Sequence, residues 1–165
     1  NGNYQPKLSK GPDILIEILK VINKYKFKTA NIFVLLTGYR RQWIIKQLQK
    51  ENIRYAYFEK ADKNLMNQFY NLIDLYIISS RVEGGPRSLL ECCRCNVPVL
   101  STHVGLAIDV IDRSSIYNSN NITKIFKHLK NALKIKTIKY NFNQSEKYCI
   151  DKLIEKYDTF FNNNM

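Results

Sequence analysis

The chain predicts an α/β fold, a Rossmann-like three-layer arrangement of a parallel sheet with helices on both faces. Two observations carry this prediction. Short, solidly apolar runs alternate with segments whose apolar residues recur at helical spacing, the order that right-handed strand–helix–strand crossovers build. The apolar runs also lack the in-and-out alternation of a sheet with one wet face, so they read as strands covered above and below. Size and composition agree. The 165 residues, 45% hydrophobic and 24% charged, are enough for one domain with its own core, and residues 1–165 are read as a single domain. The same figures exclude a disordered chain, a collagen and a disulfide mini-protein. No apolar run approaches the roughly 18 residues that a bilayer-spanning helix needs.

Residues 1–12 read as loop, punctuated by Gly2, Pro6, Gly11 and Pro12. Ile14, Leu15, Ile18, Leu19 and Ile22 then mark a helix from Asp13 to about Tyr25. Ile32 to Leu36 is an unbroken apolar run stopped by Thr37-Gly38, as expected of a strand buried on both faces. A helix over Gln42–Lys50, a strand over Arg54–Phe58, a helix over Asn64–Ile73 and a strand over Leu75–Ile78 follow, the last ending at Ser79-Ser80. The loop Arg81 to Gly85 leads through Pro86 into a helix that runs to about Cys95, with Asn96 as its C-cap. Val97 to Leu100 is another buried strand. After the Thr102–Gly105 loop come a short helix through Ile111 and a short strand near Ile116-Tyr117. Helices at about Ile122–Leu133 and Ser145–Phe161 close the chain, and the tail Asn162 to Met165 is expected to fray.

Ligands of parallel α/β folds sit beyond the carboxyl ends of the strands, which directs attention to the segments after Leu36, Phe58, Ile78 and Leu100. The segment after Ile78 concentrates the chemistry. Gly84 and Gly85 let backbone approach a ligand closely or take positive φ. Pro86 at the first helical position gives up an N–H that had no partner there. The amides of Arg87 and Ser88 are then free at the positive end of a helix, a natural place for phosphate. Glu83 lies just before that helix and Glu91 about one turn inside it. A carboxylate repels phosphate but accepts hydrogen bonds from both hydroxyls of a vicinal diol. Phosphate together with sugar hydroxyls points to a nucleotide-sugar.

The segment from Glu83-Gly84-Gly85-Pro86 to Glu91 resembles the E-x7-E signature of the retaining GT-B glycosyltransferases of family 4, in their C-terminal, donor-binding half. The order of the other motifs agrees. Lys10-Gly11 before an amphipathic helix resembles the family's Lys-Gly turn, and Leu36-Thr37-Gly38 the end of its second strand. Phe69-Tyr70 to Asp74 with Ser79-Ser80 resembles its Y…AD…PS run, and Leu90-Glu91 to Asn96-Val97-Pro98-Val99 its LEAMACG-PV run. Thr102-His103-Val104-Gly105 resembles its T-x-x-G loop, and Tyr157 sits in the closing helix.

The resemblance implies that the chain is the C-terminal half of a GT-B fold and transfers a sugar from a nucleotide-diphospho-sugar, with retention at the anomeric carbon. Glu91 would hold the ribose hydroxyls, Glu83 would lie by the donor sugar and its reacting carbon, and Gly84 and Gly85 would offer amides to sugar and phosphate. Lys10 would neutralise the leaving diphosphate. No divalent metal and no cofactor beyond the donor substrate is implied, and the chain has no Asp-x-Asp pair. The family's acceptor-binding domain and the first strand of this half are expected upstream of Gly2, so the isolated domain is expected to be inactive alone. The chain departs from the pattern in places. Asn3 stands after Gly2 where the family has Arg, Leu106 stands where a second glycine is usual, and no glycine opens the strand near Ile116. Arg81 and Arg87 are the candidates to replace the missing arginine.

The charge balance keeps other readings open. Against 14 Asp+Glu stand 26 Lys+Arg, a net +12 that attracts anions. Lys, Asn and Ile are abundant together, as in translations of AT-rich genes, so the charge permits an anionic partner without requiring one. The alternatives are a basic nucleic-acid or membrane-binding module and a catalytically silent glycosyltransferase-like domain; nucleic acid is not the expected partner. The stretch Lys124 to Lys139 reads as a solvated face first and a patch for an anionic membrane second. Cys92, Cys93, Cys95 and Cys149 show neither disulfide nor zinc spacing and read as small thiols in a reducing cytosol, with peripheral membrane contact open. His103 and His128 share no metal spacing. His103, on a ligand-side loop, and Arg40-Arg41, after a strand end, read as solvated or as ligand contacts.

Overall fold

The first helix, α1 (Pro12–Lys24), is the piece that joins the molecule together. The structure, a computed structural model, describes residues 6–24 and 32–162; the Gly2-Asn3 pair, Tyr25 and the last three residues of the tail lie outside them. After α1 the order is β1 (Phe33–Thr37), α2 (Gln42–Lys50), β2 (Arg54–Phe58), α3 (Lys63–Leu72), β3 (Tyr76–Ile78), α4 (Arg87–Arg94) and β4 (Val99–Thr102). Then come α5 (Ala107–Val110), β5 (Ile116–Tyr117), α6 (Ile125–Ala132), α7 (Ile135–Glu146) and α8 (Ile150–Asn162).

All strand pairings among the described residues are parallel, as the apolar runs predict. The hydrogen bonding divides into two sets. β1 pairs with β2, Leu35 opposite Ala56, while β3, β4 and β5 pair in that order, Ile77 opposite Leu100 and Ser101 opposite Ile116. α1 serves both sets from adjoining stripes. Ile14 and Ile18 pack with Leu100 and Tyr117 of the second set, and Ile16 and Leu19 with Leu36, Ile44, Leu48 and Ile53 of the first. The second set carries helices on both faces. Ile78, Val99 and Ile116 face Tyr70, Leu89, Cys92 and Val110, from α3, α4 and α5. Their chain neighbours Ile77, Leu100 and Tyr117 face α1 and α6. This is the period-2 division of a strand covered on both sides.

β1 corrects one expectation. Its apolar run predicts a strand buried on both faces, yet Phe33 is 57% exposed and only Leu36 is fully buried. β1 has β2 on one edge and α1 and α2 on one face, and the remaining face is not covered to the same depth. β4, by contrast, is buried at all four residues.

α7 was not legible from periodicity. Its fully buried residues are Thr137, Asn141 and Ser145, spaced by four along one stripe. A polar stripe gives no apolar signal, although it packs against α4 and α5. Asn141 Oδ1 accepts from the Asp112 amide at 2.8 Å, and the Arg94 guanidinium of α4 lies 4.2 Å from the Phe142 ring centre. Two helix ends are closed by asparagines in the left-handed region, where Asn is better tolerated than most residues. Asn52 (φ 52°) follows α2, and Asn96 (φ 57°) follows α4 as expected. At the latter, Val97 N donates to Cys92 O at 3.0 Å and Asn96 N to Cys93 O at 3.1 Å. All four cysteines are free thiols. Cys92 and Cys93 are buried, and burial pushes the Cys93 thiol up to about 12, so it packs as a small apolar group. Among the described residues no helix is long and apolar enough to cross a membrane.

This packing predicts unequal costs for equal truncations. Leu100→Ala, at a side chain shared between α1 and α6, is expected to lower stability by about 2–5 kcal/mol. Phe33→Ala, at an exposed position, is expected to cost less than about 1 kcal/mol. Urea unfolding monitored by circular dichroism measures both.

Candidate functional site

The segment from Ser79 to Pro86 leaves β3 between two turns that grip its backbone. On one side, Arg81 N and Val82 N donate to Ser9 O at 2.8 and 3.3 Å, and Ser79 Oγ donates to Lys10 O at 3.3 Å. A single turn of 3-10 helix, Leu8–Lys10, ends there at Gly11, with φ 58°. A Cβ on Gly11 would stand 1.8 Å from Ser79 O, so neither the conformation nor the space admits another residue. On the other side, Leu106 N donates to Gly84 O at 3.0 Å. A Cβ on Gly105 (φ 37°) would stand 2.0 Å from that same oxygen. The strand ends form the floor: Tyr117 OH donates to Ile78 O at 3.0 Å and Thr102 Oγ1 to Ser80 O at 2.6 Å.

This double grip brings Lys10 and Glu83 together across 73 residues of sequence. Lys10 Nζ forms an ion pair with Glu83 Oε2, and Ser80 Oγ donates to the same oxygen at 3.4 Å. The two glycines beside Glu83 behave differently from one sequence expectation, because neither takes a left-handed backbone. What Gly84 supplies is room, since a Cβ there would meet nothing within 4 Å. A Cβ on Gly85 would make ordinary contact with Leu106 at 3.6 Å.

α4 begins one residue later than the sequence predicts. Pro86 (φ −68°, ψ 116°) is extended and occupies the N-cap, and Arg87 is the first helical residue. A proline cap has no side-chain acceptor to offer. The amides of Arg87 and Ser88 therefore have no hydrogen-bond acceptor among the described residues, at the positive end of the helix. The Arg87 side chain is exposed. Ser88 turns its hydroxyl away from the loop, 2.6 Å from Tyr76 OH, so what it offers a ligand is its amide. One turn on, exposed Glu91 accepts a hydrogen bond on Oε2 from Tyr70 OH at 2.7 Å.

Arg81 is committed elsewhere. Its Nη1 and Nη2 donate to Asp13 Oδ1 and Oδ2 at 2.8 and 2.6 Å, and Nη1 also donates to Leu8 O at 2.8 Å. This fork ties the loop to the start of α1, while Arg87, the other arginine suggested by the sequence, is exposed at the start of α4. The remaining candidates have surroundings of their own. Arg41 Nε donates to Thr37 O at 2.8 Å and closes the end of β1, with Arg40 in the left-handed region. His103 is exposed beside an open cavity of about 390 Å³, lined also by Ile108, Arg113 and Ile116. His128 Nδ1 lies 2.9 Å from Ser114 O. Among the described residues no three of His, Cys, Asp and Glu converge as a metal site.

Sequence reasoning brought Lys10, Glu83, Gly84, Gly85, Arg87, Ser88 and Glu91 to one region. It did not find Asp13 as the partner of Arg81, nor Tyr70 and Tyr76 as partners of Glu91 and Ser88. An acidic residue in the first turn of α1 is a visible signal, but its partner lies 68 residues away.

Comparison with known proteins identifies the family and the fold. The profile of the family "Glycosyl transferases group 1" matches residues 2–155, and the chain belongs to that family. Its fold is that of the GT-B glycosyltransferases. A mutant of TarM from S. aureus, in complex with fondaparinux, alpha-GlcNAc-glycerol and UDP, superposes with a TM-score of 0.68 at 20% identity, over 96% of this chain and 34% of that one. HepE of Anabaena, in complex with UDP, superposes with a TM-score of 0.65 at 17% identity, over 94% of this chain and 46% of that one. Protein CapJ of Staphylococcus aureus is 27% identical over 72 residues, 44% of this chain and 18% of its own length. The chain thus spans less than half the length of each of these proteins.

The Asp13–Arg81 fork has a pH signature. The guanidinium holds the Asp13 carboxyl below its ordinary value of 3.8. The stability this pair contributes is present in full above about pH 4 and is lost as pH falls through the lowered folded-state value. Carboxyl-detected NMR titration is expected to find the Asp13 midpoint below 3.8. Arg81→Ala is expected to return it toward that ordinary value.

Proposed function

We propose that this chain is the donor-binding half of a glycosyltransferase that takes a sugar from a nucleotide-diphospho-sugar and transfers it, with retention at the anomeric carbon, to an acceptor held by a further domain. The observation that carries the reading is the meeting of Lys10 with Glu83 beside the open amides of Arg87 and Ser88, with Glu91 one helical turn beyond. Family membership and the UDP in the HepE and TarM structures support a nucleoside diphosphate as the ligand. The chain's share of those structures supports an acceptor-binding part in sequence outside these residues.

In this reading the diphosphate lies against the amides of Arg87 and Ser88, with Lys10 and the Arg87 side chain as its cations. Glu91 accepts the ribose hydroxyls, and Gly84 and Gly85 leave space for the sugar beside Glu83. When the bond from the anomeric carbon to the diphosphate breaks, its electron pair stays on the departing oxygen. The acceptor hydroxyl oxygen forms the new bond on the same face while its proton passes to that departing oxygen. Fixed cations and helix amides stabilise the charge that develops there without a metal ion.

Titration calorimetry of the full chain with UDP, GDP and ADP is expected to show preferential binding of one nucleotide. Glu91→Ala should weaken that binding by roughly 10- to 100-fold. Glu83→Gln should reduce sugar transfer by the complete protein on the order of 100-fold, with a smaller effect on nucleotide affinity. Binding that ignores the base and falls steeply with salt would instead favour the basic module.

A second contact, with an anionic membrane, is favoured by the corner between α6 and α7. Exposed Lys130, Lys134, Lys136 and Lys139 flank Ile135, which is 72% exposed. Sedimentation with vesicles is expected to show binding when phosphatidylglycerol is present and none to phosphatidylcholine alone. Lys134→Glu/Lys136→Glu/Lys139→Glu should abolish it.

A further inference from the structure

Glu91 is an exposed carboxylate on a flexible stem, and such a side chain ordinarily samples several rotamers. Here one of its oxygens is held by a group that does not move with it. Tyr70 comes from α3 and is only 7% exposed, packed in the cluster that includes Ile78, Leu89, Cys92 and Val99. Its hydroxyl emerges from that cluster to donate to Glu91 Oε2 at 2.7 Å, an ordinary O–H···O length. Burial and the Glu91 hydrogen bond raise the Tyr70 phenol far above its ordinary range, so it stays a donor at every physiological pH. Three residues earlier on the same face of α4, Ser88 is met by Tyr76 of β3. Two tyrosines from two elements therefore set the orientation of this face of the helix.

We infer that Tyr70 is a positioning residue for diol recognition, fixing the Glu91 carboxylate so that its remaining lone pairs meet the two ribose hydroxyls of the donor nucleotide. The inference rests on the donor-site reading above and adds to it the group that preorganises the carboxylate. A carboxylate has about four acceptor sites, and one bond from Tyr70 leaves Oε1 and a lone pair of Oε2 for two hydroxyls. Without the phenol, Glu91 remains hydrated and able to accept, but it must be ordered each time a nucleotide binds. The loss is then confined to the part of the affinity that comes from the diol.

The test separates the positioning role from a packing role. The full chain, as wild type, Tyr70→Phe and Glu91→Ala, is titrated calorimetrically with UDP, GDP and ADP, each beside its 2′,3′-dideoxy form. In the wild type the ribonucleotide is expected to bind more tightly than its dideoxy form, and Glu91→Ala is expected to erase the difference. Tyr70→Phe keeps the ring and its packing; it is expected to shrink the difference about tenfold and leave the dideoxy affinity unchanged. A Tyr70→Phe chain that weakens both forms equally, or that discriminates as the wild type does, overturns the positioning role while leaving the Glu91 site standing. A wild type that fails to distinguish any ribose form from its dideoxy form overturns the donor-site reading and this inference with it.

Discussion

Two carbonyl oxygens lie where side chains would have to be. Ser79 O stands against Gly11 and Gly84 O against Gly105, each closer than a Cβ would permit. Between these contacts the loop after β3 is held by backbone on both sides, and the rest of the site follows from its position. Lys10 reaches Glu83 because Ser9 O accepts from Arg81 N and Val82 N, and α4 begins where it does because the loop has been delivered to that point. The bidentate Arg81–Asp13 pair reinforces the grip from the surface, where ion pairs add modest energy, and the hydrogen bonds of the backbone carry the geometry.

The same economy of position runs through the layers below. α1 packs toward both sets of strands, so the turn that carries Lys10 sits at the head of the helix that unites the core. α4 is held from two sides. α3 and β3 send Tyr70 and Tyr76 to its first turns, and α7 meets it with a polar stripe and with Phe142 under Arg94. A short helix whose N-terminal amides are left uncapped has little stability of its own, so its orientation must come from its neighbours.

Much of the fold was open to reading because apolar patterns report burial directly. The strands near Leu36, Ile78 and Leu100 and the helices between them follow from runs and periods that need no knowledge of distant residues. The reading failed where burial and apolarity part company. α7 buries Thr137, Asn141 and Ser145, and β1 exposes Phe33 within an apolar run. Residue type alone cannot signal either case, because the first stripe sets polar side chains against α4 and α5, and the exposure of the second strand depends on how the layers assemble.

For the site, the sequence by itself determined the cast: a Gly-Gly-Pro entry to a helix, carboxylates at Glu83 and Glu91, a Lys10-Gly11 turn, and their likeness to one family. Each of these is a local pattern, set by conformational needs within a few residues. Only the tertiary structure decided the pairings. It sent Arg81 to Asp13 and left Arg87 exposed, moved Pro86 to the cap, spent the Ser88 hydroxyl on Tyr76, and put Tyr70 behind Glu91. Such pairings depend on where separate elements lie after packing, and a hydrogen bond has no sequence signature when its partners are 21 or 68 residues apart.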